Sequence, residues 1–330
     1  KWSLFVRGAY SPGVKRAFGR LLDQHAIDLA YSINICNFLG PSVIDAAVDR
    51  SIPFVTRSSD FNLVCPAYNC LREGRACEDC SRGLVHAVRH RCLQNSVAVS
   101  SARVAAMWVH RATGVYGRVS GMVTPTAFLR GRLVSAGFDE GKITHVPTFV
   151  DLRRFVPGRD TASREIVYAG RVSAEKGVDT LVEAMGRLQG AEDVRLVVLG
   201  GGDRKLLQQL RRRAEEIAPG RVEFAGFVDS ESLVERMGRA IAVLMPSRCY
   251  ENMPNAVTEA MALARPVLAS DFGSLPEQVV HDETGWLVPL DDVDAWADAI
   301  ARLASDPATA RRLGDAGRAR AESEYTAEKH

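Results

Sequence analysis

Two glutamates lie on either side of a proline in the stretch 245–260, where their carboxylates could take part in binding or catalysis. Pro254 fits the first position of a helix, which puts Glu251 in the preceding loop and Glu259 in the second turn. Backbone N–H groups at a helix start attract anions such as a diphosphate. We expect the two carboxylates to accept hydrogen bonds from sugar and ribose diols. Alternatively, Glu259 only stabilises the helix through a favourable interaction of its negative charge with the helix macrodipole.

A second cluster, from Gly170 to Gly177, combines glycines with the cations Arg171 and Lys176. The glycines permit a tight turn with a close backbone approach, and the cations could reach the same site. Preformed positive charge there would stabilise a diphosphate as it departs, since this leaving group gains negative charge in the transition state. Considered alone, the same loop could be a solvated basic turn.

Two more glycine-containing stretches could contact a nucleotide. The triplet Gly200–Gly202 would let backbone approach a phosphate, with Gly201 as its centre, although it does not match the dinucleotide fingerprint. Gly226 and Phe227 could clasp a nucleobase, or Phe227 could belong to the core.

These loops require a sheet that brings them to one edge. Apolar runs alternate with segments of helical periodicity, which predicts a parallel, doubly wound α/β sheet with ligands at the carboxyl ends of its strands. The predicted strands are Ile166–Ala169, Val194–Leu199, Val222–Ala225, Ile241–Met245, Pro266–Ala269 and Trp286–Val288.

The first half predicts a second α/β domain. Its candidate strands are Ile27–Tyr31, Pro53–Thr56, Ser96–Val99 and Gly121–Thr124. The stretch Val146–Arg159 reads as a linker, so we divide the chain into an acceptor-side domain, 1–157, and a donor-binding domain, 158–330. The first residues show no signal-peptide layout. Because the sequence opens on Lys1 rather than Met, the N-terminal domain could be incomplete.

The motifs from about Glu165 to Arg320, in this order, resemble the C-terminal domain of retaining glycosyltransferase family 4. The resemblance implies a GT-B fold, in which two Rossmann-like domains face each other across a cleft. It further implies that Arg171 and Lys176 bind the diphosphate, Glu251 the transferred sugar and Glu259 the ribose. The other expected donor-binding residues are Gly170, Gly201, Phe227, Asn252, Met253, Pro254 and Asn255.

In the first half, the stretch 57–66 resembles a His-Asp-Phe-x-x-x-Cys-Pro motif of many family members. Ser59 stands where His is usual, followed by Asp60. We treat both residues as acceptor-side candidates. The role of the missing His is either vacant or taken by Ser58, Ser59 or Asn62.

Five of the seven cysteines fall in a Cys-rich insertion, 65–92. The spacing predicts a structural zinc site with Cys65, Cys77, Cys80 and Cys92 as ligands, with reduced thiols and a disulfide as alternatives. We expect no cofactor in catalysis. Asp292 and Asp294 have the D-x-D spacing of metal-dependent enzymes, but they open a helix and are expected to cap it.

The net charge of +2 conceals two opposite halves. Residues 1–158 hold 20 Lys and Arg against 11 Asp and Glu, and the remainder holds 22 against 29. The basic half favours a lipid-linked or acidic acceptor and an anionic membrane surface, with ordinary surface arginine as the alternative. Scattered basic residues without a known module disfavour nucleic acid. We expect a cytoplasmic protein, peripheral on the cytoplasmic membrane face.

The sequence therefore predicts a retaining, metal-independent enzyme. It would move a hexose-type sugar from a UDP- or GDP-sugar to a glycan or lipid-linked acceptor, in the synthesis of cell-surface polysaccharide or glycolipid. One alternative is a sugar-nucleotide epimerase or hydrolase of the same fold. Another is a non-catalytic subunit that binds the nucleotide sugar.

Overall fold

The computed structural model describes residues 10–35, 39–158 and 163–330. Residues 1–9 and Arg159, the last residue of the predicted linker, lie outside this part of the chain. The protein divides into two compact units between Val146 and Pro147, here called the N-terminal and the C-terminal unit. Each contains a parallel sheet with helices, so the prediction of two α/β domains is confirmed.

The N-terminal unit is built on a four-stranded sheet of order β1-β2-β5-β6, in which every neighbouring pair is parallel. A two-stranded antiparallel hairpin, β3-β4, lies in the Cys-rich insertion. Its elements are β1 (Ala30–Ile33), β2 (Phe54–Arg57), β3 (Leu71–Arg72), β4 (Arg75–Ala76), β5 (Gly121–Thr124) and β6 (Ile143–His145), with α1 (Pro12–Gln24), α2 (Ser42–Val48), α3 (Asp79–Arg82), α4 (Val85–Arg89), α5 (Val97–Thr113) and α6 (Ala127–Ser135).

The strand predicted at Ser96–Val99 is wrong, because these residues begin helix α5. Ser96 is the N-cap, and its hydroxyl accepts a hydrogen bond from the Val99 amide at 3.3 Å. The buried residues Ser100, Val104 and Met107 follow at helical spacing. The short strand β6 was not predicted either.

The C-terminal unit holds a six-stranded parallel sheet of order β12-β11-β10-β7-β8-β9. All six predicted strands are confirmed, with ends that differ by a residue or so. The elements are β7 (Glu165–Ala169), β8 (Arg195–Leu199), β9 (Val222–Gly226), β10 (Ala242–Met245), β11 (Val267–Ser270) and β12 (Gly285–Val288), with α7 (Val178–Arg187), α8 (Arg204–Ile217), α9 (Ser230–Arg239), α10 (Asn255–Ala262), α11 (Leu275–Gln278), α12 (Val293–Ser305) and α13 (Pro307–Glu324).

Alternate residues of these strands feed two cores on opposite faces of the sheet. Ile166 and Tyr168 of β7 pack in a cluster with Trp296 of α12. Their neighbours Val167 and Ala169 pack in the other cluster. Burial on both faces explains why the strands are continuous apolar runs rather than alternating patterns.

The boundary predicted near Pro157 lies too far along the chain. Val150 and Phe155 are buried in a core cluster of the C-terminal unit. The Val150 amide also donates to the Tyr325 carbonyl at 2.9 Å. The stretch 147–158 is therefore anchored by apolar burial, which proline content and weak periodicity did not reveal.

Among the described residues, no helix combines the length and apolar character that a bilayer crossing requires.

Candidate active site

The loops that leave β7, β8, β9 and β10 lie at one edge of the C-terminal sheet, because parallel strands end on the same side. Backbone pairing continues past the strand ends. The Gly170 amide donates to the Leu199 carbonyl at 2.9 Å, and the Gly200 amide donates to the Gly226 carbonyl at 2.7 Å. These glycine-containing loops therefore form one interlocked surface.

Two glycines of this surface have no room for a side chain. A Cβ on Gly200, whose φ is +137°, would lie 1.9 Å from the Gly170 carbonyl oxygen. A Cβ on Gly202 would lie 1.8 Å from the carbonyl oxygen of Val172. Gly201, by contrast, is exposed and faces open space, so its backbone is accessible to a ligand.

Glu251 is the buried carboxylate of the site, with only 7% of its surface exposed. The Lys176 ammonium donates to its Oε1 at 2.6 Å, and the Ser247 hydroxyl donates to the same oxygen. The Ser274 hydroxyl fixes the Glu251 carbonyl at 2.6 Å. Burial alone would lower the pKa of Lys176, but the Glu251 carboxylate outweighs it, and the pKa is raised. Lys176 thus stays cationic beside a fixed anion.

Arg171 differs from Lys176 in its surroundings. Its side chain is 67% exposed and pairs with Glu175 at 3.0 Å. Both cations belong to the loop after β7 and lie at the carboxyl edge, where the sequence placed them. Lys176 is held by a buried partner, whereas Arg171 is free to turn toward a ligand.

Arg248 was missed by sequence analysis as a site residue, although it lies three positions before Glu251. Its guanidinium donates to Asp179 at 2.8 Å, to the Thr180 hydroxyl at 2.7 Å and to Asp291. Its amide also donates to the Glu175 carbonyl at 2.9 Å. Arg248 therefore fastens the cation-bearing loop to the loop that carries Glu251.

Glu259 lies in the second turn of α10, as predicted, after the N-cap Pro254. Asn255 is the first helical residue, and Met253 before the cap has a left-handed φ of +61°. Burial raises the pKa of Glu259, although the charge of Arg154 opposes this. A raised pKa means that the surroundings do not favour the carboxylate, which speaks against a role in the helix macrodipole alone.

Two aromatic features flank this edge. Phe227, directly after β9, is 92% exposed, so the alternative that it is a core residue is excluded. Tyr250 and Phe272 stack with ring centroids 4.9 Å apart and planes at 15°. This stack was not predicted. In the sequence, the feature that could have indicated the stack is Gly273. Its φ is +62°, and a Cβ there would lie 2.8 Å from the Tyr250 ring.

The acceptor-side candidates, Ser59 and Asp60, lie in the N-terminal unit after β2. The Ser59 amide donates to the Asn34 side chain at 2.9 Å. Asp60 accepts from the Asn62 amide at 2.9 Å and from the Asn62 side chain at 2.6 Å. Asp60 therefore shapes its own loop.

The Cys-rich insertion contains buried and half-buried free thiols at Cys65, Cys70, Cys77, Cys80 and Cys92. No disulfide joins the cysteines that the structure describes. The four predicted zinc ligands do not form a compact ligand group there.

The group of potential ligands that does lie within 4.8 Å comprises Asp79, His86 and His90. Arg72 Nη1 lies 2.7 Å from Asp79 Oδ2 and 2.9 Å from His90 Nε2, so a guanidinium already supplies the positive charge. In the C-terminal unit, Asp292 caps α12 as predicted, accepting from the Ala295 amide at 3.0 Å.

Comparison with known proteins decides the family. The profile described as Glycosyl transferases group 1 matches residues 150–320, more than half of the chain. The chain belongs to this family. The match covers the loops that follow β7, β8, β9 and β10, and it leaves out the loop of Ser59 and Asp60 and the Cys-rich insertion.

Named members and solved structures agree with this result. The chain is 31% identical over 210 residues to a GDP-mannose-dependent alpha-(1-6)-phosphatidylinositol monomannoside mannosyltransferase of Mycolicibacterium smegmatis, covering 58% of this chain and 54% of that protein. It is 36% identical over 171 residues to the alpha-maltose-1-phosphate synthase of Mycobacterium tuberculosis, covering 48% and 43%. The chain spans about half the length of the curated relatives that it matches.

Two solved structures resemble the whole described fold. Anabaena HepE, in complex with UDP, aligns with a TM-score of 0.72 at 16% identity, covering 96% of this chain and 79% of that one. Sucrose-phosphate synthase of Thermosynechococcus elongatus aligns with a TM-score of 0.71 at 24% identity, covering 96% and 74%. At these identities the likeness shows the fold alone, and the predicted GT-B fold is confirmed.

Proposed function

We propose that this protein is a glycosyltransferase that moves a hexose-type sugar from a nucleotide diphosphate sugar to a glycan or lipid-linked acceptor. The observation that carries the proposal is the fixed carboxylate of Glu251, which is buried and bonded to Lys176 at 2.6 Å. It lies at the carboxyl edge of a parallel sheet, beside a helix start and accessible glycine backbone. A buried carboxylate and a cation in contact suit a ligand with hydroxyls next to a diphosphate.

In the proposed reaction, Arg171 and Lys176 stabilise the diphosphate as its bond to the anomeric carbon breaks. Glu251 accepts hydrogen bonds from hydroxyls of the oxocarbenium-like sugar. The acceptor attacks from the face that the leaving group vacates, which retains the anomeric configuration. The departing phosphate takes the proton of the acceptor hydroxyl, so no separate base is required.

The nucleotide contacts follow from the same geometry. Glu259 would bind the ribose, and the loop at Phe227 would contact the base, supported by the 92% exposure of that ring. Asn252, Met253 and Asn255 would line the diphosphate side of α10. No metal takes part in this scheme, because two cationic side chains already face the leaving group.

The names of the relatives support a nucleotide sugar donor and a lipid-linked acceptor. The mannosyltransferases are named for GDP-mannose and a phosphatidylinositol mannoside, and HepE was solved with UDP. We infer a UDP- or GDP-sugar as donor and a role in glycolipid or polysaccharide synthesis. The basic first half supports a cytoplasmic enzyme that contacts the cytoplasmic face of a membrane.

A substitution at Glu251 tests the proposed function. We expect Glu251→Gln to lower transfer by about 100-fold, the effect typical of a group that acts on transition-state charge. Glu215→Gln, on the exposed side of α8, is the matched control and should transfer at the wild-type rate. Near-wild-type turnover of Glu251→Gln would overturn the assignment.

Radiolabelled nucleotide sugar, supplied without an acceptor, tests the rival functions. A transferase leaves most of the donor intact, whereas an epimerase or hydrolase of this fold consumes it unaided. A non-catalytic subunit would bind the donor but turn it over under neither condition.

We also propose a structural zinc ion bound by Cys65, Cys77, Cys80 and Cys92, whose thiolates would draw together from the looser arrangement described above when they bind the ion. The insertion has only two-residue strands and helices of four and five residues, and its small apolar cluster centres on Leu84. Segments with so small a core usually need a metal or disulfide for stability. Metal analysis should find zinc in the wild type and in Cys249→Ser, and a loss in Cys77→Ser. Equal zinc in all three proteins, or none, would contradict this site.

A further inference from the structure

Helix α5 of the N-terminal unit exposes apolar side chains where a surface helix normally exposes polar ones. Trp108 is 57% exposed, Val97 48% and Val109 47%. At about 100° per residue these positions share one face of the helix. The exposed members of this surface, here called the α5 apolar face, are Val97, Ala98, Ala105, Trp108, Val109 and Ala112.

The opposite side of α5 is already buried in a small apolar cluster. Val104 and Met107 are 4% exposed and pack in a cluster with Leu84 and Ala87, next to α4. Apolar side chains therefore lie on both sides of the helix, and only one of these sides is covered by described residues of the unit.

The sequence around this face is cationic to an unusual degree. Residues 80–138 contain eight arginines and neither aspartate nor glutamate. Arg82, Arg89, Arg91 and Arg111 are exposed, and none of these four forms an ion pair with an acidic residue that the structure describes. Arg111 directly follows the apolar turn that carries Trp108, and Arg89 lies in α4, which packs against α5.

We propose that the α5 apolar face and these four arginines form a docking surface for an anionic lipid bilayer. Trp is enriched at membrane interfaces because its amphipathic ring suits the head-group level. Valine side chains beside it can enter the acyl boundary, while the arginines attract anionic head groups. Nucleic acid would match the charge but offers no partner for the aliphatic side chains.

This surface would bring the proposed transferase to a lipid-linked acceptor, and in that sense it rests on the proposed function. It is tested separately, because vesicle binding requires neither donor nor turnover.

Vesicle flotation provides the first test. The wild-type protein should float with vesicles that contain phosphatidylglycerol and not with pure phosphatidylcholine vesicles. Raising the salt from about 0.1 M to about 1 M shortens the Debye length from about 10 Å to about 3 Å, and should release most of the protein. No binding to the anionic vesicles, or equal binding to both kinds, would overturn the proposal.

Matched variants test which residues bind. Each arginine near an anionic surface contributes about a fivefold change in partitioning. Arg89→Gln/Arg111→Gln should therefore bind about 25-fold more weakly. Arg204→Gln/Arg212→Gln, which removes the same charge from the exposed side of α8, should bind like the wild type. An equal loss in both pairs would show that only net charge acts.

Trp108 provides a spectroscopic signature. Trp286 and Trp296 are 7% and 0% exposed, so Trp108 is the exposed indole among these three. Its emission should shift to the blue on anionic vesicles and be quenched by brominated lipid tails, and Trp108→Gln should abolish both signals. Unchanged emission from bound protein would contradict docking through α5.

Two further measurements keep the result unambiguous. Trp108→Gln must retain the wild-type melting transition and the thermal shift that nucleotides give, since a loss of these would indicate misfolding instead. If Trp108→Gln converts a dimer to a monomer, or if an oligonucleotide binds more tightly than anionic vesicles, the face serves a second copy or nucleic acid and the proposal is wrong.

Discussion

The loops of the C-terminal sheet edge and the surface of α5 organise charge in opposite ways. In the C-terminal unit, Lys176 and Arg248 are held by named carboxylates at 2.6 Å and 2.8 Å. In the N-terminal unit, arginines such as Arg89 and Arg111 are exposed and form no ion pair with a described residue. Paired, partly buried charges fix the geometry for one small ligand. Unpaired exposed charges suit an extended partner that needs no fixed geometry.

The same two regions also differ in how their backbones are packed. The loops after β7, β8 and β9 are joined to one another by backbone hydrogen bonds and close glycine contacts. The surface of α5 depends on one helix whose exposed side packs against no described core. We therefore expect substitutions at the sheet edge to affect both stability and binding, whereas those on α5 affect binding alone.

The glycine contacts should give the largest effect. Gly200→Ala forces a Cβ toward the Gly170 carbonyl oxygen, and we expect a loss of about 3 kcal/mol or more in the free energy of unfolding. Gly201→Ala, which meets open space, should lose less than about 1 kcal/mol. Urea unfolding of both variants gives the comparison. Equal midpoints would show that the loops are not interlocked.

The next largest effect is expected at the two cations of the proposed donor site, whose replacement should lower the free energy of unfolding by different amounts. Lys176→Met leaves the buried Glu251 without its partner, and we expect a loss of about 2 kcal/mol in the free energy of unfolding. Arg171→Met removes an exposed pair and should cost about 0.5 kcal/mol, yet both variants should transfer sugar poorly. Denaturant unfolding measured beside turnover separates these effects. Equal stability losses would contradict the distinction between the buried and the exposed cation.

Glu259 should produce a smaller, pH-dependent effect. Its pKa is raised in the folded protein, so its protonated form stabilises the fold at low pH, and this contribution is lost as pH rises through the raised value. Glu259→Gln should therefore gain stability over the wild type at neutral pH and lose this advantage near pH 4. Thermal melting across pH would reveal this pattern. A variant less stable than the wild type at neutral pH would contradict it.

Nucleotide affinity provides a second measurement on the same variant. Glu259→Gln should weaken binding of a nucleotide diphosphate by about tenfold, because one charged acceptor for the ribose hydroxyls is lost. In the wild type, affinity should fall as pH drops below the raised pKa. Unchanged affinity would leave Glu259 as a structural acid.

The smallest effect is expected at Ser59 in the N-terminal unit. Its amide, not its hydroxyl, makes the hydrogen bond to Asn34. Ser59→Ala should therefore change the free energy of unfolding by less than about 0.5 kcal/mol. Its effect should appear in the KM for the acceptor, with nucleotide affinity unchanged. A tenfold loss of nucleotide affinity would mean that this loop belongs to the donor site.

The features that could be predicted from the sequence are those set by residues close together in the chain. Strands β7 to β12 are continuous apolar runs, and Glu251 and Glu259 surround a helix start marked by Pro254. Periodicity and helix-start preferences act within a few residues, so these features could be read directly.

Features that depend on distant contacts could not be read in this way. Arg248 binds Asp179 and Asp291, which are far from it in the chain. The stretch around Val150 joins the C-terminal core through Tyr325. The apolar run at Ser96 resembles a strand until its cap and helical burial are seen, because a short apolar run does not distinguish the two states. The missed elements all depend on tertiary packing.

Calorimetric titration with a panel of UDP- and GDP-sugars would test most directly whether the C-terminal sheet edge is the donor site. At least one of these nucleotide sugars should bind the wild type, and Lys176→Met should bind it at least tenfold more weakly. Arg212→Met, which removes an exposed cation from the middle of α8, should bind like the wild type. Failure of the whole panel to bind, or equal affinity of Lys176→Met and the wild type, would contradict the assignment.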